Sequence, residues 1–298
     1  MARLNVYWNN ICLLRKSEEM FLAEYGEGLA VTYFGLGAPR KLREQIESDL
    51  AETGGVRADV IVSTDLDIFQ DKRLLRGKNL FADLSGRFSS GPYIDKTAVS
   101  ADPCFAVSQI LPMCIAAAPS NPACPQTLYE LCEPRYRHKI VLGGRDTAAG
   151  RSVVMTVWRL YGEDAALAFL DNAVFTTVPA VARFRVARNE YPVAILPSAL
   201  CGGGIQAVFP SDGAPAIPTF AVASKTAPIA DALSFLRILF SGRMQAFYAE
   251  RAFAIPSSGP LSPLLYPDGK PPPYIYPPDA WLDGFDMERF AALMDDGC

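Results

Sequence analysis

The chain has 298 residues, of which 50% are hydrophobic and 20% charged, and its formal net charge is -4 at pH 7. This length exceeds the usual size of one hydrophobic core, so we expect two lobes. The acidic balance gives no sign of nucleic-acid binding, and no apolar run approaches the roughly 20 residues that span a membrane.

The first part of the chain alternates strand patterns with helix patterns. Apolar strands are predicted at 4–8, 29–34 and 60–63, and amphipathic helices at 12–25 and 40–52. Strands that alternate with helices of this length form a parallel sheet with helices on both faces.

A second region of the same kind follows at 127–200. It contains a strand at 139–142, a small-residue loop at 146–150 that opens a helix, a further helix from Gly162, and a strand that ends at Ser198. Apolar helices are predicted again at 229–240 and 242–252. The tail at 260–278 is too rich in proline for a regular helix, and we expect a short helix at 287–294.

Two long β-prone stretches, 101–118 and 218–224, are interpreted as crossings between the lobes. This interpretation predicts a first lobe made of residues 1–103 and 219–257. It predicts a second lobe made of residues 104–218 and 258–298, which includes the proline-rich tail.

Several segments carry a family resemblance through their order along the chain. They are RADVIVSTDLDIF (57–69), LYELCEPRYRHKIVLGGRDTAAG (128–150), GEDAALAFL (162–170), AVASKTAPIADALSFLRILFSGRMQAFYAE (221–250) and AFAIPSSG (252–259). Over residues 5–259 the chain resembles bacterial extracellular solute-binding proteins, the receptor subunits of ABC importers. The resemblance implies the type II periplasmic-binding-protein fold, with two α/β lobes joined by two crossing strands. It also implies that a small polar solute binds in the cleft by hinge closure and passes to a membrane permease.

The resemblance extends to a branch that contains ferric-ion binders and related anion binders. Ferric binders of this kind use adjacent tyrosines on the second lobe, and this chain has no Tyr-Tyr pair; Tyr191 is followed by Pro192. Direct iron coordination is therefore not expected. Two alternatives stay open: an intracellular sensor or scaffold with the same fold, and a ferric-ion binder that acts through a bound anion.

Ligand-binding residues are expected where parallel strands end, because loops and helix N-termini meet there. In the first lobe these candidates are Trp8, Asn9, Asn10, Gly37, Ser63, Thr64 and Asp65. The asparagines offer donors and acceptors, and Trp8 offers a flat face. Equally, Asn9 or Asn10 could cap the next helix, the glycines could form a plain turn, and the hydroxyls could cap the turn that follows them.

In the second lobe the best candidate is the start of the helix that follows the small-residue loop. Its exposed N–H groups and its dipole favour an anion, and Arg151 could clamp a carboxylate. The alternatives are an ordinary capped helix with a solvated Arg151 and, around Ser198, a flexible glycine loop. The candidates here are Thr147, Ala148, Ala149, Gly150, Arg151 and Ser198.

Catalysis finds little support in the sequence. The single histidine, His138, lies away from the candidate loops, and no nucleophile, phosphate-loop or zinc-protease motif occurs. We expect a binding protein that is not an enzyme, uses no cofactor or metal, acts as a monomer, and has a small-molecule ligand and a membrane permease as its partners. An anionic or carboxylate-bearing solute fits Arg151 best, although Asp65 would suit a cation.

The seven cysteines form no Cys-x-x-Cys pair. Buried free thiols are favoured over a single disulfide, such as Cys124 with Cys132, and over metal ligation. The N-terminus lacks a signal pattern. We therefore expect a periplasmic or cell-surface protein if a signal segment has been removed, and a cytoplasmic one if Met1 is the native start.

Overall fold

The computed structural model describes residues 3–24, 28–35, 38–88, 90–121, 123–202 and 205–295, apart from the side chains of Cys12 and Thr97. The chain divides into two compact units. Unit 1 comprises Met1–Ile110, Pro218–Arg251 and Ile255–Leu261, and unit 2 comprises Leu111–Ile217, Ala252–Ala254 and Ser262–Cys298. Within the described ranges, no helix is both long enough and apolar enough to cross a membrane.

Strands and helices alternate along most of the chain. The strands are β1 (Leu4–Asn9), β2 (Leu29–Tyr33), β3 (Val60–Ser63), β4 (Ala106–Ala117), β5 (Ile140–Gly143), β6 (Ala173–Thr176), β7 (Val193–Pro197), β8 (Gln206–Val208), β9 (Ala214–Ala223), β10 (Ile255–Pro256) and β11 (Tyr274–Ile275). The helices are α1 (Arg15–Ala23), α2 (Leu42–Thr53), α3 (Leu66–Gln70), α4 (Lys96–Val99), α5 (Ala148–Tyr161), α6 (Glu163–Asn172), α7 (Pro179–Ala187), α8 (Ile229–Leu239), α9 (Gly242–Ala252), α10 (Asp279–Gly284) and α11 (Met287–Asp295).

The sheet of unit 1 has the strand order β2-β1-β3-β9-β4. Strand β1 is parallel to both β2 and β3, whereas β9 runs antiparallel to β3. Strand β3 is apolar and buried along its whole length, as expected of a strand covered on both faces. Because β1, β2 and β3 run in parallel, their carboxyl ends share one edge of the sheet, and the loops that follow them meet there.

In unit 2, β5 lies between β6 and β7 and is parallel to both. Strands β7 and β8 each pair antiparallel with β4, and β11 pairs with β9. Helix α5 turns Val153, Val154 and Val157 inward, and all three are fully buried. Burial of each such side chain stabilises the folded state by roughly 1.5–3 kcal/mol, so these valines hold α5 against the core of unit 2.

Most predicted elements are observed within a few residues of their expected bounds. The predicted helix at 12–25 is divided into a short 3-10 turn, Cys12–Leu14, and α1. The sequence did not predict eight elements, which are α3, α4, β6, α7, β8, β10, β11 and α10. Each is short or has a weak pattern, so pairing with a neighbouring strand or packing of one face stabilises it.

Strands β4 and β9 connect the two units. Both are buried along their whole length, and the chain passes from one unit to the other after Ile110 and again after Ile217. The predicted lobes changed at residues 103, 218 and 257 instead. Those lobe boundaries stay a prediction, because compact packing does not test which residues move or fold together.

Candidate functional site

The loops that follow β1 and β3 meet at the sheet edge of unit 1. Strand register places Asn9 beside Ser63, and the Thr64 amide donates to the Asn9 carbonyl at 2.9 Å. The Asn9 side chain donates through Nδ2 to Asp65 Oδ2 at 2.7 Å. Asn9, Ser63, Thr64 and Asp65 are therefore brought together, as the positions of their strands predict. An uncharged amide beside Asp65 offsets part of the repulsion that this carboxylate exerts on an anion.

Ser63 and Asp65 also stabilise their own turn. Ser63 is completely buried, and its hydroxyl accepts the Asp65 amide at 2.9 Å. This is the turn-capping role that the sequence left open for the hydroxyls. By contrast, neither Asn9 nor Asn10 caps a helix, since the residue at the N-cap of α1 is Leu14.

A pocket of ≈ 150 Å³ opens beside the loop that follows β1. It brings together three predicted residues and several that the sequence analysis missed. Its lining consists of Trp8, Asn9, Asn10, Ile11, Leu13, Arg15, Glu18, Tyr33 and Phe34. All of these residues belong to unit 1.

Arg15 and Tyr33 form the cationic and aromatic part of this pocket. The guanidinium carbon of Arg15 lies 4.6 Å from the centre of the Tyr33 ring, and Arg15 Nε lies 2.9 Å from Glu19 Oε1. Burial, followed by the charges of Glu19 and Glu18, raises the pKa of Tyr33 to about 12, so Tyr33 is a neutral phenol near pH 7. The sequence analysis missed Arg15, although a basic residue in the first turn after a candidate loop could have indicated it as a site residue.

Glu18 forms the buried acidic part of the pocket and is only 1% exposed. Its carboxylate accepts Trp8 Nε1 at 2.9 Å, Asn10 Nδ2 at 2.8 Å and the Tyr248 hydroxyl at 3.0 Å. Burial raises the pKa of Glu18 to about 7, and these hydrogen bonds limit the rise. Trp8 and Asn10 thus already have partners inside unit 1, and both act as parts of the pocket wall.

In unit 2, the candidate helix start is a tightly folded cap. Thr147 is the N-cap of α5; its hydroxyl donates to the Gly144 carbonyl at 2.7 Å and accepts the Gly150 amide at 3.4 Å. A Cβ on Gly150 would lie 2.4 Å from the Gly144 carbonyl oxygen. Ala149 is buried and Ala148 half-buried in the same turn. The expected helix N-terminus with small residues is present, together with the capping role that was its alternative.

Arg151 is buried, which differs from the solvated alternative. Its side chain is 7% exposed, with Nη2 3.4 Å from Asp295 Oδ1 and the guanidinium carbon 5.8 Å from the centre of the Phe290 ring. Both contacts are with α11, so Arg151 joins α5 to the C-terminal helix. A clamp role would require this contact to rearrange, and it stays a prediction.

The remaining predicted residues are Ser198 and Gly37. Ser198 is fully buried, and its hydroxyl donates to the Ala252 carbonyl at 3.1 Å within unit 2. Gly37 lies outside the described residues, as do two of the three glycines after Ser198. The single histidine, His138, is exposed, and its backbone is left-handed with φ 55°.

The side-chain chemistry suits recognition of a small polar molecule. Among the described residues, no group of three or more His, Cys, Asp or Glu is arranged to hold a metal ion. Five cysteines in that part of the chain are free thiols: Cys104, Cys114, Cys124, Cys132 and Cys201. Amide, guanidinium and carboxyl groups around one pocket supply both donors and acceptors.

The chain was compared with protein-family models and with curated protein sequences. The family model described as bacterial extracellular solute-binding protein matches residues 18–253. No curated protein sequence matches the chain.

Similar solved structures show the fold of the chain. Iron-bound HitA from Pseudomonas aeruginosa has a TM-score of 0.77 at 16% identity, with 100% of both chains covered. The ferric binding protein from Campylobacter jejuni has a TM-score of 0.76 at 15% identity, with 98% of both chains covered. AfuA from Actinobacillus pleuropneumoniae, a periplasmic binding protein with fructose-6-phosphate bound, has a TM-score of 0.69 at 16% identity, covering 99% of this chain and 97% of that one. These likenesses confirm the predicted type II fold.

Proposed function

The chain belongs to the bacterial extracellular solute-binding proteins, and we propose that it is the receptor subunit of an ABC-type importer for a small polar solute. Proteins of this family bind ligands and are not enzymes. The observation that carries the proposal is the pocket of unit 1, which lies where the loops after β1 and β2 meet. Its ≈ 150 Å³ admits part of a small molecule.

The charges of the pocket support an anionic or carboxylate-bearing solute. Arg15 supplies a permanent cation on the Tyr33 ring, and Asn9 contributes an amide to the lining of the same pocket. Asp65 is hydrogen-bonded to Asn9, and Glu18, whose pKa is raised to about 7, loses its charge as the pH falls below 7. In unit 2, the capped N-terminus of α5 adds N–H groups and a helix dipole, which also favour an anion.

The structural neighbours support two kinds of cargo. AfuA carries a sugar phosphate in its solved structure, and HitA carries iron. An anion fits this chain better than a directly coordinated ferric ion, because the sequence contains no Tyr-Tyr pair. A ferric ion bound together with an anion is the second candidate, and the similarity to ferric binders favours it.

The wider proposal follows from the family. The receptor would act outside the cytoplasm as a monomer, close around the solute by a hinge, and deliver it to a membrane permease. Closure is tested by small-angle scattering, which should show a smaller radius of gyration when a tight ligand is added. An unchanged radius with a saturating ligand would contradict hinge closure.

Mass spectrometry of small molecules released from the purified protein on denaturation would identify the cargo. Calorimetry with that compound then tests the site. Loss of a hydrogen bond to a charged group costs about 1.5–3 kcal/mol, so Arg15→Gln should weaken binding roughly 10- to 150-fold. Arg159→Ala, at the far end of α5, is the matched control and should bind like the wild type.

The same calorimetry separates the two arginines. Arg151→Ala should weaken binding to the same extent only if the predicted clamp is correct. A compound bound equally well by wild type and Arg15→Gln would remove the pocket from the site. If no compound is released, and a panel of carboxylates, sugar phosphates and ferric citrate leaves the melting temperature unchanged, the receptor proposal is wrong.

A further inference from the structure

A chain of buried hydrogen bonds leads from the pocket of unit 1 to the strands that connect the units. Glu18 Oε1 accepts Asn10 Nδ2 at 2.8 Å. On its other side, Asn10 Oδ1 accepts the Thr219 hydroxyl at 2.8 Å and Gln109 Nε2 at 3.4 Å. Gln109 lies two residues before β4 enters unit 2, and Thr219 lies two residues after β9 leaves it. A change at Glu18 can therefore reach both connecting strands through one side chain, Asn10.

Protonation of Glu18 would reverse the direction of these hydrogen bonds. The ionised carboxylate only accepts, whereas the protonated acid must also donate one hydrogen bond. Trp8 Nε1 and Asn10 Nδ2 cannot accept it, because both are donors. The Tyr248 hydroxyl donates to Glu18 Oε1 at 3.0 Å, so it could accept the new proton only by giving up that acceptor for its own. Rotation of the Asn10 amide by half a turn presents Oδ1 to Glu18 instead.

The other end of the chain can accommodate that rotation. The rotated Asn10 would present Nδ2 to the Thr219 hydroxyl. Gln109 now donates through Nε2 to that hydroxyl at 3.2 Å and to Asn10, so its amide must rotate as well and present Oε1 to both. Gln109 is fully buried, and its Oε1 has no hydrogen-bond partner within the described part of the chain. The rotation exchanges the two amide groups of Gln109 between the paired and the unpaired position, so the number of unpaired buried groups does not by itself favour either arrangement.

We propose that Glu18 is a proton-linked positioning residue of the pocket, which reverses the hydrogen bonds of Asn10, Thr219 and Gln109 when its carboxylate takes up a proton. The burial of Glu18 and the raised pKa of about 7 place this event near neutral pH. Amide rotations need no backbone movement, so the two arrangements can exchange inside a packed core.

The charged and titratable groups around Glu18 are few. Helix α1 contributes Arg15 and Glu19, which are paired with each other, and β2 contributes Tyr33. Helix α9 contributes Tyr248, whose pKa is raised well above its usual value by burial and by the Glu18 charge. Strands β4 and β9 contribute only the uncharged Gln109 and Thr219 to this network. Both tyrosines stay neutral near pH 7, which leaves Glu18 as the titrating group.

Solute binding would then be linked to pH, and this consequence rests on the proposed function. An anion in the pocket disfavours a second negative charge at Glu18 and so favours its protonated form. Binding of an anion would take up a proton, and its affinity would increase as the pH falls through the pKa of Glu18.

The test uses the solute-free full chain and nuclear magnetic resonance between pH 5.5 and about 8.5. The chain has three tryptophans, so the indole signal of Trp8 is assigned by its loss in Trp8→Phe. The side-chain amide signals of Gln109 are assigned in the same way with Gln109→Leu. Both signals should shift with one midpoint near 7, while Trp158 and Trp281 in unit 2 stay constant.

Two variants complete the design. Glu18→Gln should abolish both transitions, and Glu19→Gln, at the neighbouring half-exposed carboxylate, should retain them. A Trp8 signal that does not titrate in the wild type, or a transition that persists in Glu18→Gln, would overturn the role of Glu18. A Gln109 signal that stays still while Trp8 titrates would overturn the reversal of the chain. Because no solute is present, these outcomes are independent of whether the receptor proposal holds.

Discussion

Replacement of Glu18 by glutamine should change how the stability of the protein depends on pH. Glu18 is the most deeply buried carboxyl of the pocket, and burial raises its pKa from 4.5 to about 7. The folded protein therefore binds a proton at Glu18 more tightly than the unfolded chain does. The stabilising contribution is fully present below pH 4.5 and is lost as the pH rises through about 7.

The expected magnitude follows from the size of this change. Each pKa unit corresponds to about 1.36 kcal/mol, so the rise from 4.5 to about 7 amounts to about 3 kcal/mol. Solvent screening is weak because Glu18 is 1% exposed. The neutral glutamine keeps the shape of the side chain and removes the titration.

Urea unfolding followed by circular dichroism measures this difference. Between about pH 4.5 and 8, wild-type stability should fall by about 3 kcal/mol relative to Glu18→Gln. The contributions of the other carboxyl groups cancel in this comparison, because those groups titrate in both proteins. Glu19→Gln should instead follow the wild type within about 0.5 kcal/mol, since the Glu19 side chain is 40% exposed. A constant difference between wild type and Glu18→Gln across this range would refute the reasoning.

Two further predictions concern unit 2 and a core cysteine. Gly150→Ala would place a Cβ 2.4 Å from the Gly144 carbonyl oxygen and should destabilise the protein by roughly 1–3 kcal/mol. The Cβ of Gly242→Ala would meet no atom within 4 Å, so this control should destabilise the protein much less. Thermal unfolding of both variants measures the difference. Cys114 is 1% exposed and its pKa is raised well above the usual value by burial and by contact with Cys201. Iodoacetamide at pH 8 should therefore leave it unmodified until urea unfolds the chain, and rapid labelling of the native protein would contradict its burial.

Local sequence patterns accounted for much of each unit. Strand β3 lies at 60–63 as predicted, because a short apolar run flanked by polar residues has few other conformations. Thr147 was expected at the start of α5 for a similarly local reason, since a hydroxyl residue before a small-residue turn favours an N-cap. The shared edge of β1 and β3 followed from their parallel arrangement, and so did the grouping of Asn9 with Ser63, Thr64 and Asp65.

Other features depend on residues far apart in the sequence. Strand β6 and helix α7 have weak local patterns and are stabilised by β5 and β7. Arg151 looked like a solvent-facing or ligand-facing residue near a helix start, but Asp295, 144 positions later, pairs with it. Neither the periodicity of α5 nor its cap carries information about which helix covers that residue.

Glu18 illustrates the same limit at the candidate site. In the sequence it is one of several charged residues on a short amphipathic helix, and such a residue usually faces solvent. The fold instead places it beneath Trp8 and Asn10 and next to Tyr248, 230 residues further along the chain. The sequence determined the family, the alternating elements and the loops that form the edge of unit 1. Only the tertiary structure decided which acid is buried there, because burial and pKa depend on contacts that no local pattern encodes.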